Sequence, residues 1–105
     1  MSLAALRAVA AVDATNVAAL TALSPRHGAA AASGYVLAAT ATVLAHVDAR
    51  HDRLARVLYL AGLVPNTVGA VLVARPSPRD RALSWYIGVG GAVLGGGYLW
   101  ALRGR

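Results

Sequence analysis

Asp13 and Asn16 are the strongest polar groups in a long apolar stretch near the start of the chain. They lie three positions apart, and residues at this spacing share one face of a helix. A carboxylate in the middle of a bilayer is costly, so it faces a protein interior, is paired or carries a proton. Asn66 lies near the middle of a later apolar stretch, directly after Pro65. These residues could bind a proton or a polar solute inside a membrane.

Pro65 lacks the N–H that a helix interior uses and strains the carbonyl of Ala61, so we expect a kink beside Asn66. Irregular helices next to an intramembrane acid form the binding sites of many transporters. We therefore predict Asp13, Asn16 and Asn66 as proton- or substrate-binding residues and Pro65 as a hinge. The alternative is structural, because Asn and Thr side chains also hydrogen-bond membrane helices to one another.

The residue types that bind metals cluster at His46, Asp48, His51 and Asp52. Neighbouring arginines such as Arg50 explain the carboxylates as parts of a solvated turn, so we expect no metal site and no cofactor. The chain has no cysteine, which excludes disulfides and thiolate ligands. No catalytic triad and no carboxylate pair can be assembled at one depth of a membrane. We therefore do not expect an enzyme.

Four apolar stretches must position these residues. Of the 105 residues, 58% are hydrophobic and 13% are charged, and the charges other than Asp13 lie at the ends or in three short clusters. About 20 helical residues cross a hydrocarbon core about 30 Å thick. The stretches have no polar face, and a chain this short cannot bury them in a core of its own. The sequence predicts an all-α integral membrane four-helix bundle, a single transmembrane domain over residues 1–105.

Local chemistry sets the helix boundaries. Ser24-Pro25 and Ser77-Pro78 each place a capping hydroxyl before a proline, which opens the second and fourth helices. Residues 48–53 form a short polar turn between the second and third helices. We expect transmembrane helices at about 3–23, 25–47, 54–74 and 78–102. The short loops make neighbouring helices antiparallel.

An internal duplication of a two-helix unit is a further hypothesis. Residues 15–20 precede Ser24-Pro25 much as residues 66–71 precede Ser77-Pro78. An even number of spans per unit predicts a parallel repeat about an axis along the membrane normal. The first helix would correspond to the third, and the second helix to the fourth. Chance similarity in a chain rich in Ala and Val is the alternative.

The last helix carries six glycines. The rows Gly88-Ala92-Gly96 and Gly91-Gly95 have the four-residue spacing that lets helix backbones touch. We predict that these residues form a helix-packing face. Its partner is either the second helix of the same chain or another chain, in a homo-oligomer or a larger membrane complex.

Aromatic residues flank both ends of the last span, Trp85 and Tyr86 at one end and Tyr98 and Trp100 at the other. Such pairs are typical of aromatic belts at the lipid–water interface. For Tyr98, packing between helices is an equal alternative.

The net charge of +6 comes from arginines spread over both predicted membrane faces, a pattern typical of membrane anchoring. We therefore expect the lipid bilayer as a partner and no nucleic acid. Four spans place both termini on one side. That side carries Arg7, Arg50, Arg53, Arg56, Arg103 and Arg105, and the other side carries Arg26, Arg75, Arg79 and Arg81. Six arginines against four predict a protein of the cell membrane with cytoplasmic termini.

Two functions fit these features. The leading interpretation is a small multi-pass structural or accessory subunit that packs through its glycine-rich last helix. The alternative is a proton-coupled transporter of small solutes, with Asp13 as the proton carrier.

The length and layout, four short helices with an acid in the first, resemble the small multidrug resistance transporters. In that family a membrane-embedded glutamate exchanges protons for cationic substrates in a dimer. This chain has Asp13 in place of the glutamate, and residues 61–66 lack the family's aromatic and glycine signature. We therefore do not assign the chain to this family.

Overall fold

A computed structural model describes residues 2–74 and 77–103, apart from the side chain of Ser2. These residues form the helices α1 (Ser2–Leu23), α2 (Pro25–Val47), α3 (Asp52–Leu72) and α4 (Pro78–Arg103), with a 3-10 turn at Ala49–His51. The prediction of an all-α chain with four helices is confirmed, since 95% of the described residues are helical. Helix α3 begins and ends two residues earlier than expected. Arg75 and Arg105 were counted in the comparison of arginines on the two predicted membrane faces. Both lie outside the described residues.

Three helical stretches are long and apolar enough to cross a membrane, namely Leu3–Leu23, Pro25–Val47 and Ala49–Leu72. Helix α4 has 26 residues, which is sufficient length, but its glycines replace larger apolar side chains and lower its hydropathy. Large apolar side chains point outward from all four helices, as Val12, Val43, Val68 and Val93 do. The outer surface of the bundle is therefore apolar, as a surface in contact with lipid is.

The helices run alternately up and down. Leu6 near the start of α1 belongs to one core cluster with Leu102 near the end of α4. Leu20 near the end of α1 belongs to another with Ile87 in the first half of α4. We call the face where α1 and α3 begin the termini face, and the opposite face, where prolines open α2 and α4, the proline face.

Two separate apolar cores hold the bundle together. The termini core, toward the termini face, contains Leu6, Ala38, Ala41, Ala45, Ala55, Tyr59, Tyr98, Ala101 and Leu102. The proline core, toward the proline face, contains Leu20, Ala30, Ala31, Ala70 and Ile87. Asp13 and Asn66 lie in the layer between the two cores.

A buried histidine joins α2 to α4 at the proline face. His27 Nδ1 lies 2.7 Å from Ser24 Oγ, and its Nε2 lies 3.3 Å from the Asp80 carbonyl oxygen. Because a carbonyl oxygen only accepts, Nε2 carries a proton, and in the neutral ring Nδ1 accepts from the Ser24 hydroxyl. Arg79 donates to the Leu23 carbonyl at 2.7 Å, which adds the end of α1 to this set of contacts.

The two capping serines behave differently. The Ser77 hydroxyl accepts from the backbone N–H of Asp80 at 3.3 Å, as a helix cap does. The Ser24 hydroxyl makes no capping hydrogen bond, because it is engaged with His27. The prediction of a capping hydroxyl is therefore wrong for Ser24. Helix α2 still begins at Pro25, which has no N–H to satisfy.

We expect His27→Ala to destabilise the bundle by about 1–3 kcal/mol, because it leaves the buried Ser24 hydroxyl without its partner and removes the side chain that joins α2 to α4. The measurement is unfolding of the purified protein in detergent micelles, followed by circular dichroism. His51→Ala is the matched control, since His51 lies half-buried in the 3-10 turn. We expect the control to change stability by less than about 0.5 kcal/mol. Equal losses in the two variants would contradict this role of His27.

Candidate functional site

A small cavity lies between the two cores, and all four helices line it. Asp13 comes from α1, Tyr35 from α2, Tyr59 and Asn66 from α3, and Tyr98 from α4. The space open to the centre of a water molecule measures about 30 Å³. Since one water needs roughly 10–15 Å³ by this measure, the cavity has room for about two waters and not for an organic solute. In this conformation the site suits a proton.

The carboxyl group of Asp13 is buried, with the residue only 8% exposed. The Tyr98 hydroxyl donates to its Oδ2 at 2.8 Å. No cationic side chain is among the described residues that line the cavity, so the protein places no opposite charge there. One hydrogen bond does not offset the desolvation of a carboxylate. A bound proton or another cation would remove or balance that charge.

A stacked aromatic pair continues from Asp13 across the bundle. The rings of Tyr98 and Tyr59 have centroids 4.6 Å apart and planes 12° apart. The Tyr59 hydroxyl lies 2.8 Å from Thr42 Oγ1. Because the Thr42 hydroxyl donates its proton to the Ala38 carbonyl at 2.8 Å, Tyr59 is the donor to Thr42. The chain of contacts from Asp13 to Thr42 therefore connects all four helices.

Asn66 joins α3 to α4 beside the same cavity. Its Nδ2 donates to the Ile87 carbonyl at 3.0 Å, and the residue is 6% exposed. With the amide held by this bond, Asn66 Oδ1 lies beside Gly34 and Gly91. It is 3.4 Å from the ideal Cβ position of each glycine. Both glycines line the cavity, so the amide oxygen is available there as a hydrogen-bond acceptor.

Glycines allow the helices to approach one another around Asn66. A Cβ on Gly34 would lie 2.9 Å from Asn66 Cβ, and a Cβ on Gly91 would overlap the Asn66 side-chain amide. A Cβ on Gly95 would lie 3.0 Å from Leu63 Cδ2. Real side chains do not come this close without displacement. Gly34 and Gly91 therefore allow the close packing of this layer, whereas at Gly95 only the end of the Leu63 side chain would have to shift.

The predicted packing face of α4 divides into two rows with different surroundings. Gly91 and Gly95 contact α3, whereas the sequence suggested the second helix or another chain. A Cβ on Gly88 or Gly96 would meet nothing within 4 Å, and Ala92 between them is exposed. We call Gly88, Ala92 and Gly96 the outer row. Within the described part of the chain, this row has no packing partner.

Asn16 lies outside the cavity. Its Oδ1 accepts a hydrogen bond from the Tyr86 hydroxyl of α4, at an exposed contact. The structure therefore brings Asp13 and Asn66 to one cavity and places Asn16 at a separate contact between α1 and α4. Pro65 lies inside α3, which continues through it as a helix.

The hypothesised duplication stays a prediction. Under it, residues 15–20 of α1 would correspond to residues 66–71 of α3, so that Asn16 pairs with Thr67 and Thr15 pairs with Asn66. Asn16 and Asn66 both bond to α4, Asn16 through Tyr86 and Asn66 through the Ile87 carbonyl.

The metal-like cluster lies at the termini face, away from the cavity. The Asp48 carboxylate accepts from the Arg50 backbone N–H at 2.9 Å and pairs with the Arg50 side chain at 3.5 Å. His46 Nδ1 donates to the Thr42 carbonyl at 2.7 Å. Over residues 2–74 and 77–103, no three His, Cys, Asp or Glu side chains are grouped so that they could hold a metal ion.

Sequence reasoning missed Tyr35 and Tyr59, and it left Tyr98 open between an aromatic belt and packing. Tyr59 lies seven residues before Asn66, and Tyr98 lies seven residues after Gly91. Seven residues are two helical turns, so each tyrosine shares a helix face with a predicted site residue. That spacing is the signal that could have identified Tyr59 and Tyr98 as site residues.

Comparisons with protein-family models, with curated proteins and with solved structures found no match. The function is therefore argued from the site.

We expect Gly91→Ala to destabilise the protein by about 1–3 kcal/mol, because the new methyl group would displace Asn66 from its bond to α4. Gly96→Ala is the matched control on the outer row, where a Cβ has open space. The control should be neutral or stabilising by up to about 1 kcal/mol, through the lower helix propensity of glycine. Denaturation of both variants in detergent provides the measurement. A Gly91→Ala protein as stable as Gly96→Ala would exclude the close approach of α3 and α4.

Proposed function

We propose that this chain is a small multi-pass protein of the cell membrane whose four helices all cross the bilayer, with both termini in the cytoplasm. The supporting observations are three helices of sufficient length and apolarity, a fourth of sufficient length, and an outer surface rich in valine and leucine. Antiparallel helices place both termini on one face. The larger number of arginines on that face supports its cytoplasmic side.

Within this membrane protein, we propose proton-coupled transport of a small solute, with Asp13 as the proton carrier. One observation carries the proposal: Asp13 and Asn66, buried on different helices, line the same cavity between two apolar cores. A carrier needs a titratable group that is shielded from both faces and reachable through a conformational change. The layer between the cores gives Asp13 this position.

Asp13, Asn66, Asn16 and Pro65 have different roles in this proposal. Asp13 binds the proton, and the Asn66 amide oxygen serves as a polar acceptor beside it. Asn16 contacts Tyr86 outside the cavity, so its role is to fix α1 against α4. Pro65, directly before Asn66, is the hinge at which α3 bends when the cavity enlarges to admit the solute.

Asp13→Asn should abolish solute-driven proton movement, because the amide keeps the shape of the side chain but cannot carry the proton. The measurement uses proteoliposomes that contain a pH-sensitive dye and face a panel of amino acids, sugars and small amines added singly. Asp48→Asn is the matched control, since it makes the same chemical change in the exposed turn. We expect this control to keep the wild-type flux. Equal fluxes from wild type and Asp13→Asn would refute the proposal.

A second candidate function is a structural or accessory subunit that packs through α4. The specific observation in its favour is the outer row, since Gly88, Ala92 and Gly96 leave a flat small-residue strip with no partner in the described chain. Small residues at this spacing let two membrane helices approach closely. In this function Asp13, Asn16 and Asn66 serve as interhelical hydrogen-bonding groups.

For the second candidate, a photo-crosslinking amino acid at Ala92 should form protein adducts in native membranes, because a partner helix would lie directly against it. Val43, which is 62% exposed on α2, is the matched control position and should give lipid adducts only. Gel mobility and mass spectrometry of the adducts supply the measurement. Lipid adducts alone at both positions would refute packing through the outer row.

A further inference from the structure

The stacked tyrosines close one side of the cavity. Tyr59 and Tyr98 both line the cavity and both belong to the termini core, where they are 2% and 1% exposed. The other large residues of that core, Leu6 and Leu102, lie near the helix ends at the termini face. The tyrosine pair therefore lies between the cavity and the leucines at the termini face.

The two hydroxyl groups of this pair point in opposite directions. A helical side chain leans toward the N-terminus of its own helix, and α3 and α4 are antiparallel. The Tyr59 hydroxyl thus points toward the termini face, where it bonds to Thr42 of α2. The Tyr98 hydroxyl points into the cavity, where it bonds to Asp13 of α1. The pair is anchored at each end by a different helix.

Only one side of the cavity is closed by a bond to a titratable acid. An ionised Asp13 accepts the Tyr98 hydrogen bond strongly, whereas a protonated Asp13 is a weaker acceptor and must itself donate. On the proline side, Asn66 bonds to the Ile87 backbone carbonyl, which does not titrate. Tyr35 of α2, Tyr59 of α3 and Tyr98 of α4 are the other titratable groups lining the cavity in the described chain.

We propose that the Tyr59–Tyr98 pair is a gate between the cavity and the termini face, which an ionised Asp13 holds closed through Tyr98. This inference rests on the proposed transport function and names Tyr98 as the residue that couples proton binding to access. When Asp13 takes up a proton, the hydrogen bond that it accepts from Tyr98 weakens, and the cavity opens toward the termini face. The proton then leaves to water on that side.

The test uses cysteine accessibility, for which the chain is suited because it has no native cysteine. Ala101→Cys reports on the termini core, and Ala70→Cys reports on the proline core; these alanines are 2% and 6% exposed. The proteins are placed in nanodiscs, which expose both faces, and are treated with a membrane-impermeant thiol reagent at one fixed pH. The labelling rate is measured by mass spectrometry.

Tyr98→Phe removes the anchoring bond by deleting the hydroxyl while keeping the ring, and Asp13→Asn weakens it by replacing the charged carboxylate acceptor with a neutral amide oxygen. We expect each to raise the Ala101→Cys labelling rate by about tenfold, with no change at Ala70→Cys. The double variant should show no rise beyond that of Tyr98→Phe, because both changes act on the same bond. Tyr86→Phe, which removes the hydroxyl bonded to Asn16, is the matched control and should leave both rates unchanged.

An unchanged rate at Ala101→Cys in Asp13→Asn or Tyr98→Phe would overturn the gate. An equal rise at Ala70→Cys, or the same rise in Tyr86→Phe, would also overturn it, because a general loosening would then explain the labelling. Failure of the transport function is distinguishable from these results. A selective response of Ala101→Cys without solute-driven proton movement would refute transport and retain the gate, whereas proton movement without that response would refute the gate alone.

Discussion

The burial of the Asp13 carboxyl group is the constraint to which the middle of this bundle is adapted. A carboxylate removed from water needs a counter-charge, several hydrogen bonds or a proton. The described lining of the cavity gives it one hydroxyl donor, Tyr98, and no cation. The protein therefore neither fully satisfies the ionised acid nor replaces it with an apolar residue. An exchangeable proton resolves this imbalance, and the small cavity beside the carboxyl group provides the space for water to deliver it.

Glycine placement makes this polar layer compatible with tight packing. The two apolar cores use leucine, alanine and the rings of Tyr59 and Tyr98, whereas the layer between them uses Gly34 and Gly91 around Asn66. Each glycine lowers intrinsic helix propensity by about 1 kcal/mol relative to alanine. In exchange, the backbones come close enough for the Asn66 amide to reach the Ile87 carbonyl. Helices α3 and α4 therefore meet through a polar contact beside the cavity. Larger side chains in place of Gly34 and Gly91 would fill this space.

Helix number, type and direction could be predicted from the sequence because they depend on local patterns. Uninterrupted apolar stretches and the prolines after Ser24 and Ser77 define the helices whatever their partners are. The composition of the site was less accessible, because the rotation of each helix depends on packing between segments distant in sequence. Asn16 shares a helical spacing with Asp13, yet the rotation of α1 turns it to Tyr86 outside the cavity. Tyr98 reaches Asp13 across 85 residues of sequence, and no local pattern encodes that distance.

Helix α4 accounts for both candidate functions, because its two glycine rows face different environments. Gly91 and Gly95 lie against α3, and the same side of the helix carries Tyr98 into the cavity. Gly88 and Gly96 lie on the side where nothing approaches in the described chain. The inner row is explained by the close packing of α4 on α3 in either function. The buried acid to which Tyr98 bonds has no cation beside it among the described residues that line the cavity, and for this reason the transport proposal takes precedence over the subunit proposal.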